Sequence, residues 1–511
     1  MKSKKKGVVV FKPYDPSQQM LLPPSVSEMV PEGHPVRVVN EVIDKIDLNV
    51  LTDQYKGGGT SSYHPKMLLK ILVYGYLSNI YSSRKLEAAV RESVYLMWLS
   101  GMAYPDHHTI NRFRSERLKD VLKEVFSQVV MLLVESEHVD LKEVYTDGTK
   151  IEANANRYTF VWGKSIKNNK ARIAKQLEEL WAYTQQVAKA ELEETVPDLT
   201  AIDSKKVTET IEKINTALKD KQVDKKIAQK LNYAQKEWPA KLDQYEQQED
   251  ILKNRGSYSK TDPDATFMRM KDDPMAKGQL KAAYNVQIST HKQFITYYSI
   301  HQKPGDTTTL IPHLEGFKKQ YNRLPENITT DAGYGSQENY TWLEGNNVEA
   351  FVKYGSFQQE QRSNKIDEPG KMENLFYNKE LDCFYCPMGQ QMKRIDSYIT
   401  TTDNGFKQEY VSYQARNCEN CPLRGVCFKG EGNRIINVNH ELQRLKEKAR
   451  QLLLSDEGIR HRKQRPVDVE PVFGNIKQNK NFKRFLLHSI GKVETEIGLI
   501  ALAHNLAKKA A

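Results

Sequence analysis

Cysteine is scarce and confined: the 511 residues hold five, all between Cys383 and Cys427. A disulfide framework therefore cannot brace the chain as a whole, and in a reducing compartment disulfides are the least expected state of these thiols. Long apolar runs are also missing. The longest, Met67 to Tyr81, is broken by Lys70 and falls short of the roughly 20 residues that a membrane span needs. The start, MKSKKKGVVVFKPYD, has lysines but no apolar segment with a small-residue cleavage site, so export is not expected and the cytoplasm is. The Lys2 to Lys6 cluster reads as a solvated tail or, alternatively, as a contact for phosphates. Acidic residues are in deficit, with 65 Asp and Glu against 76 Lys and Arg, a net charge of +11 and a pI near 9.0. That excess favours a polyanionic partner, because lysines and arginines that neutralise phosphates release condensed counterions. Hydrophobic residues at 39% and charged residues at 28% describe a globular chain with material for three or four domains or large insertions.

Three carboxylates stand in recognisable surroundings: Asp147 in VYTDGTKIEANA, Asp331 in NITTDAGYGS and Glu470 in VEPVFGNIKQNKNF. Each aspartate follows a short run of strand-forming residues with a glycine close behind, the arrangement expected at the carboxyl end of a buried strand. Glu470 is expected to open a helix whose Val469, Val472, Phe473 and Ile476 face a core, with Glu470 and Lys477 on a shared face about 10 Å apart at roughly 1.5 Å per residue. Mg²⁺ and Mn²⁺ are hard cations that prefer carboxylate oxygens and keep positions open for phosphate. Two such ions, roughly 3.5 to 4 Å apart, can activate an attacking oxygen and stabilise the leaving one.

The order Asp, Asp, Glu, with VDVEPVFGNIKQNKNFKRF after a long gap and ALAHNLAKK near the end, resembles the DDE transposases of bacterial insertion sequences. YSKTDPDATFMRMKDDPMAKGQLKAAYNVQIST (258–290) and PDHHTINRFRSERL (105–118) extend the resemblance over nearly the whole chain. It implies a ribonuclease H-like catalytic domain, ligands for two Mg²⁺ or Mn²⁺ ions at Asp147, Asp331 and Glu470, and a DNA-gripping lysine at Lys477. The partners it implies are double-stranded DNA, as terminal inverted repeats and target, and further copies of the chain on that DNA. The implied activity is cleavage at the element ends and joining of the 3′ ends to target DNA. The alternatives are a nuclease of the same fold without strand transfer and a non-catalytic DNA-binding protein derived from a transposase. One departure stands out: the related signature spaces Tyr, two residues, Arg, three residues, Glu, six residues, Lys, and here Lys463 and Pro466 hold the Tyr and Arg places. Arg465, one position early, is the candidate substitute for contact with DNA.

The fold class expected is mixed α/β, a ribonuclease H-like core with an N-terminal all-helical domain and two insertions. Residues 1–135 form the helical DNA-binding domain. Core segments are 140–162, 263–355 and 455–511, separated by a helical insertion over 163–262 and a cysteine-rich insertion over 356–454. In the first domain Asp106 is the expected N-cap of HHTINRFRSERL, and Thr109, Arg112 and Arg114 reach a duplex if this helix is a recognition element. In the opposing reading Ile110 and Phe113 bury the helix and its arginines are merely solvated. His107 and His108 read as polar helix-start residues. The polar stretch from about 163 to 255 reads as a helical hairpin interrupted by Pro239, two solvated helices or, alternatively, a DNA clamp or dimer arm. YNVQIST and QFITYYSI read as strands, and DTTTLIPHLEGFKKQY as a helix capped by Asp306. In the second insertion Cys383 with Cys386 and Cys418 with Cys421 form two C-x2-C pairs around an apparent hairpin, as in a zinc ribbon, with Cys427 as an alternative fourth ligand. Such zinc would be structural.

Overall fold

The computed structural model describes residues 25–55, 62–188, 198–199, 201–270, 278–362 and 370–511. The Lys2 to Lys6 cluster lies outside the described residues. Among the described residues eight strands precede residue 353: β1 (Glu143–Glu152), β2 (Phe160–Trp162), β3 (Ser257–Ser259), β4 (Thr266–Arg269), β5 (Leu280–His291), β6 (Phe294–His301), β7 (Asn327–Thr330) and β8 (Glu349–Val352). Six of them form one mixed sheet along the path β4-β5-β1-β7-β8, with β6 also paired to β5. β1, β7 and β8 run parallel, while β5 is antiparallel to β1, β4 and β6. Ala282 to His291 are buried without interruption, as expected of a central strand covered on both faces.

Of the N-terminal helices at Pro35–Lys45, Pro65–Leu77, Ser83–Glu92, Val94–Ser100, His107–Arg112 and Leu122–Glu135, the first, second and last pack with the C-terminal helix Ile490–Lys509, which in turn lies on β6. Their apolar positions merge with the sheet into one continuous core, from Val36 to Leu506. A buried polar chain ties the ends of the polypeptide together. Arg114 Nη1 donates to Tyr76 Oη at 3.1 Å, Tyr76 Oη donates to Glu496 Oε1 at 3.2 Å, and Glu496 Oε2 accepts from Leu486 N and Leu487 N.

The segment expected to be a helical hairpin shows three helices among its described residues: Gly163–Val187, Ser204–Leu218 and Lys225–Leu252. Trp181, Trp238, Leu177, Ile211 and Leu242 give it a core of its own, more apolar surface than two solvated helices would bury. It leaves the main body through the two-stranded ribbon of β2 and β3. The cysteine-rich segment folds as a second sheet of β9 (Phe376–Asn378), β10 (Cys383–Tyr385), β11 (Gln391–Thr401), β12 (Lys407–Ala415) and β13 (Ile435–Val438), antiparallel throughout. The next helix, His440–Leu454, contributes Leu445, Ala449 and Leu453 to the main core instead of to that second sheet.

Candidate functional site

Tyr145 of β1 lies opposite Thr329 of β7, so the same register two residues on brings Asp147 level with Asp331. Asp147 sits within β1 rather than at its end, paired on the other side with Ile288 of β5. β7 stops at Thr330, however, and the sheet opens on that side just where both carboxylates stand. Each turns one oxygen to the backbone: Gly148 N donates to Asp147 Oδ1 and Gly333 N to Asp331 Oδ1, both at 2.8 Å. Their other oxygens face Arg465, whose Nη2 is 2.8 Å from Asp147 Oδ2 and 4.0 Å from Asp331 Oδ2. Arg465 is buried, and its Nε has no hydrogen-bond partner among the described residues.

Asp306 is in the same cleft, and the sequence reading missed it. The helix it was expected to cap begins at Leu310 with no side-chain cap. The Asp306 side chain instead accepts from Asn285 Nδ2 at 2.7 Å and Gln287 Nε2 at 3.0 Å, both buried on β5. Tyr334 Oη donates to Gln287 Oε1. Burial, then the charges of Asp306, Asp147 and Asp331, push the Tyr334 phenol far up, so it stays protonated. Lys353, just after β8, is held below the usual lysine range by burial and then by the guanidinium groups of Arg465 and Arg462.

Glu470 does not open a helix. It lies in the last turns of Asp456–Gly474, exposed, with Lys477 in the π-helical turn Asn475–Asn479 that follows. Five residues beyond Arg465, at about 100° per residue, Glu470 points roughly 140° away from the side that meets the aspartates. Val469, Val472 and Ile476 are buried as expected. Asp106 Oδ1 does cap its helix, accepting from Thr109 N at 2.9 Å. Arg112 is exposed and pairs with Glu116. Arg114 cannot reach a duplex as placed: it is 3% exposed and held by Tyr76, the Tyr81 carbonyl and Asn111.

Among the described residues, the group of three acidic or imidazole side chains with ligand atoms within 4.8 Å of one another is Glu143, Glu457 and His461, which no sequence motif marked. Arg460 Nη2 already fills it, 3.1 Å from Glu143 Oε1, 3.4 Å from Glu457 Oε1 and 3.1 Å from His461 Nε2, making it a salt-bridge network. Cys386 and Cys418 pack against the small core of Phe384, Met392 and Tyr413. Arg434 contacts two sulfurs, with its Nη1 2.9 Å from Cys427 Sγ and its backbone N 3.4 Å from Cys418 Sγ. Among the described residues no three of the five sulfurs come within 4.8 Å of one another.

Residues 385–510 match the family model described as Transposase DDE domain, and residues 24–116 match the one described as Transposase domain (DUF772). The first span contains Arg465, Glu470 and Lys477; Asp147 and Asp331 lie outside both. No curated protein and no solved structure matches the chain. Among the described residues no helix is long and apolar enough to cross a membrane. A transposase domain matched at either end supports a DDE-class insertion-sequence transposase.

Proposed function

We propose that the chain cleaves DNA at the ends of its insertion element and joins the 3′ ends to target DNA, with Asp147 and Asp331 at the reacting phosphate. The observation that carries this is that Asp147, on β1, and Asp331, just past the end of the parallel neighbour β7, share one guanidinium. A cleft that already draws a buried cation between two carboxylates fits hard divalent ions, as its all-oxygen donor set also does. When bound, such ions would draw charge from the phosphate and activate the attacking oxygen. Arg465, Lys353 and Lys477 supply positive charge for the DNA backbone, and Asn285 and Gln287 keep the floor of the cleft rigid. The mixed sheet with helices packed against it supports the ribonuclease H-like reading. Glu470 enters through the family resemblance; to join the aspartates, the helix end beyond Pro466 would have to turn. The residue types and spacing of Cys383, Cys386, Cys418 and Cys421, with Cys427 as alternative, are what support a structural zinc ion.

The test uses DNA carrying the inverted repeats that flank the coding region, with Mg²⁺ or Mn²⁺. Wild type should yield nicked and then joined products, and joining separates a transposase from a nuclease. Asp147→Ala and Asp331→Ala should each lower cleavage by roughly a hundredfold or more while DNA binding persists. Full cleavage by either variant would refute its role. Glu470→Ala decides the third position by the same assay.

A further inference from the structure

The tip of the hairpin between β11 and β12 reaches back to the main body, where Asn404 Oδ1 accepts from Lys303 Nζ at 2.6 Å across a sequence separation of 101 residues. The two residues share a hollow of about 490 Å³ with Lys253 and Arg255, which follow the helix Lys225–Leu252, and with Thr307 and Thr308 from the loop after β6. Cavities of roughly 300 to 1,000 Å³ hold ligands of nucleotide size. Three cations line this one against a single carboxylate, that of Glu338. Among the described residues none of the three forms a salt bridge with a carboxylate. The Arg255 guanidinium donates to the carbonyls of Leu252, Asp264 and Ile251, neutral groups that fix its position without cancelling its charge. A lining of surplus positive charge, hydroxyls and amides matches the oxygens of a phosphate backbone. The hollow also adjoins the aspartate cleft. Thr307 Oγ1 donates to the Gly333 carbonyl at 2.7 Å, two residues beyond Asp331, and Asn339 Nδ2 donates to the carbonyls of Thr307 at 2.8 Å and Tyr334 at 2.7 Å.

We infer that this hollow holds the DNA backbone beside the reacting phosphate, with Lys253, Arg255 and Lys303 against its phosphates and the Asn404 tip as its far wall, an inference that rests on the DNA reading given above. The three-helix unit and the second sheet, neither of which the main core requires, then each supply one side of a single DNA channel.

The experiment uses the full-length chain and DNA carrying the flanking inverted repeats, without divalent ions, so that it does not depend on cleavage. Lysines are acetylated with and without the DNA and read by mass spectrometry. Lys253 and Lys303 should be protected, while Lys318, exposed at the opposite end of the helix Leu310–Tyr321, should react as before. In anisotropy titrations Lys253→Gln and Lys303→Gln should each lower the slope of log affinity against log salt by about 1 and weaken binding about fivefold at roughly 0.15 M salt, whereas Lys318→Gln should leave both nearly unchanged. Asn404→Asp adds a carboxylate at an exposed tip and should weaken binding likewise; it decides the matter if Lys303→Gln fails to fold. Unprotected Lys253 and Lys303 with wild-type slopes in their variants, or equal protection of Lys318, overturns the inference and leaves the proposed function to its own assay. Protection by deoxyadenosine monophosphate but not by the DNA overturns it in favour of a free nucleotide. Protection by DNA that the wild type neither cleaves nor joins with Mg²⁺ upholds the channel and removes the proposed activity.

Discussion

On the function proposed above, a divalent ion would share the place that Arg465 holds between Asp147 and Asp331. Replacing Arg465 by Met leaves Asp147 and Asp331 facing each other with less counter-charge in a partly exposed cleft, which should destabilise the fold by about 1 kcal/mol once solvent screening is allowed for. Mn²⁺ should recover more stability in Arg465→Met than in wild type, because the ion no longer competes with a guanidinium. Urea unfolding with and without Mn²⁺ measures both, and equal recovery in the two proteins would rule out competition for one place. His504 reports on pH. It is buried, its Nε2 donates to the Gln293 carbonyl at 2.8 Å and its Nδ1 accepts from Asn475 at 2.9 Å, so the neutral ring satisfies both partners. Burial lowers its pKa from 6.5 to about 4. The unfolded chain then binds the proton more readily, so the stability contributed is complete above pH 6.5 and is lost as pH falls towards 4. Replacing His504 by Asn should flatten that acid limb by roughly 2 to 3 kcal/mol, read from unfolding free energies at pH 7 and pH 4.5.

At the scale of the element, the helix Asp456–Gly474 decides most. It contains Pro466 and Pro471, each of which removes an intrahelical donor. The Val467 carbonyl, which Pro471 leaves without a partner, accepts instead from Gln293 Nε2 at 2.9 Å. Gln293 N also donates to Asp468 Oδ1 at 3.0 Å. Gln293 sits with Lys292 in the two-residue turn between β5 and β6, both at positive φ, 64° and 51°. Such turns favour Asn or Gly, and two long side chains are held there by what Gln293 does for the neighbouring helix. Gln293→Ala should therefore cost about 2 kcal/mol. Lys292→Gly, where only the backbone matters, should raise stability by about 0.5 kcal/mol. Chemical denaturation midpoints test the pair, and a loss from Lys292→Gly similar to that from Gln293→Ala would contradict this account. The same prolines explain why the helix was illegible before Glu470. Local propensity reads them as breaks, while carbonyl satisfaction by Gln293 and burial of His461, Arg465, Val469 and Val472 override it.

Across the whole molecule, the unit from Gly163 to Leu252 has a separate core and leaves through one narrow ribbon. Replacing residues 164–253 by a short glycine-containing turn should give a chain that still unfolds cooperatively, with the main sheet intact by circular dichroism. A molten product would mean that the two cores are coupled. For the intact chain, the excess of basic residues predicts DNA binding that weakens steeply with salt, about a thousandfold between 50 and 200 mM if some six phosphates are neutralised. A flat salt response would remove charge as the basis of binding. Periodicity alone was enough to reveal the N-terminal helices, β5 and β6, the hairpin of β11 and β12, and the Asp106 cap, because local sequence decides which face of such elements is buried. It also marked Asp147 and Asp331, whose neighbouring glycines are local. Burial of Arg114, the turn of Asp306 away from its helix and into the cleft, and the outward direction of Glu470 were decided only by the tertiary structure. Each depends on partners far along the chain, Glu496 for one, Asn285 and Gln287 for the next, and the long proline-containing helix for the last, and no local pattern encodes a contact between segments that meet only on folding.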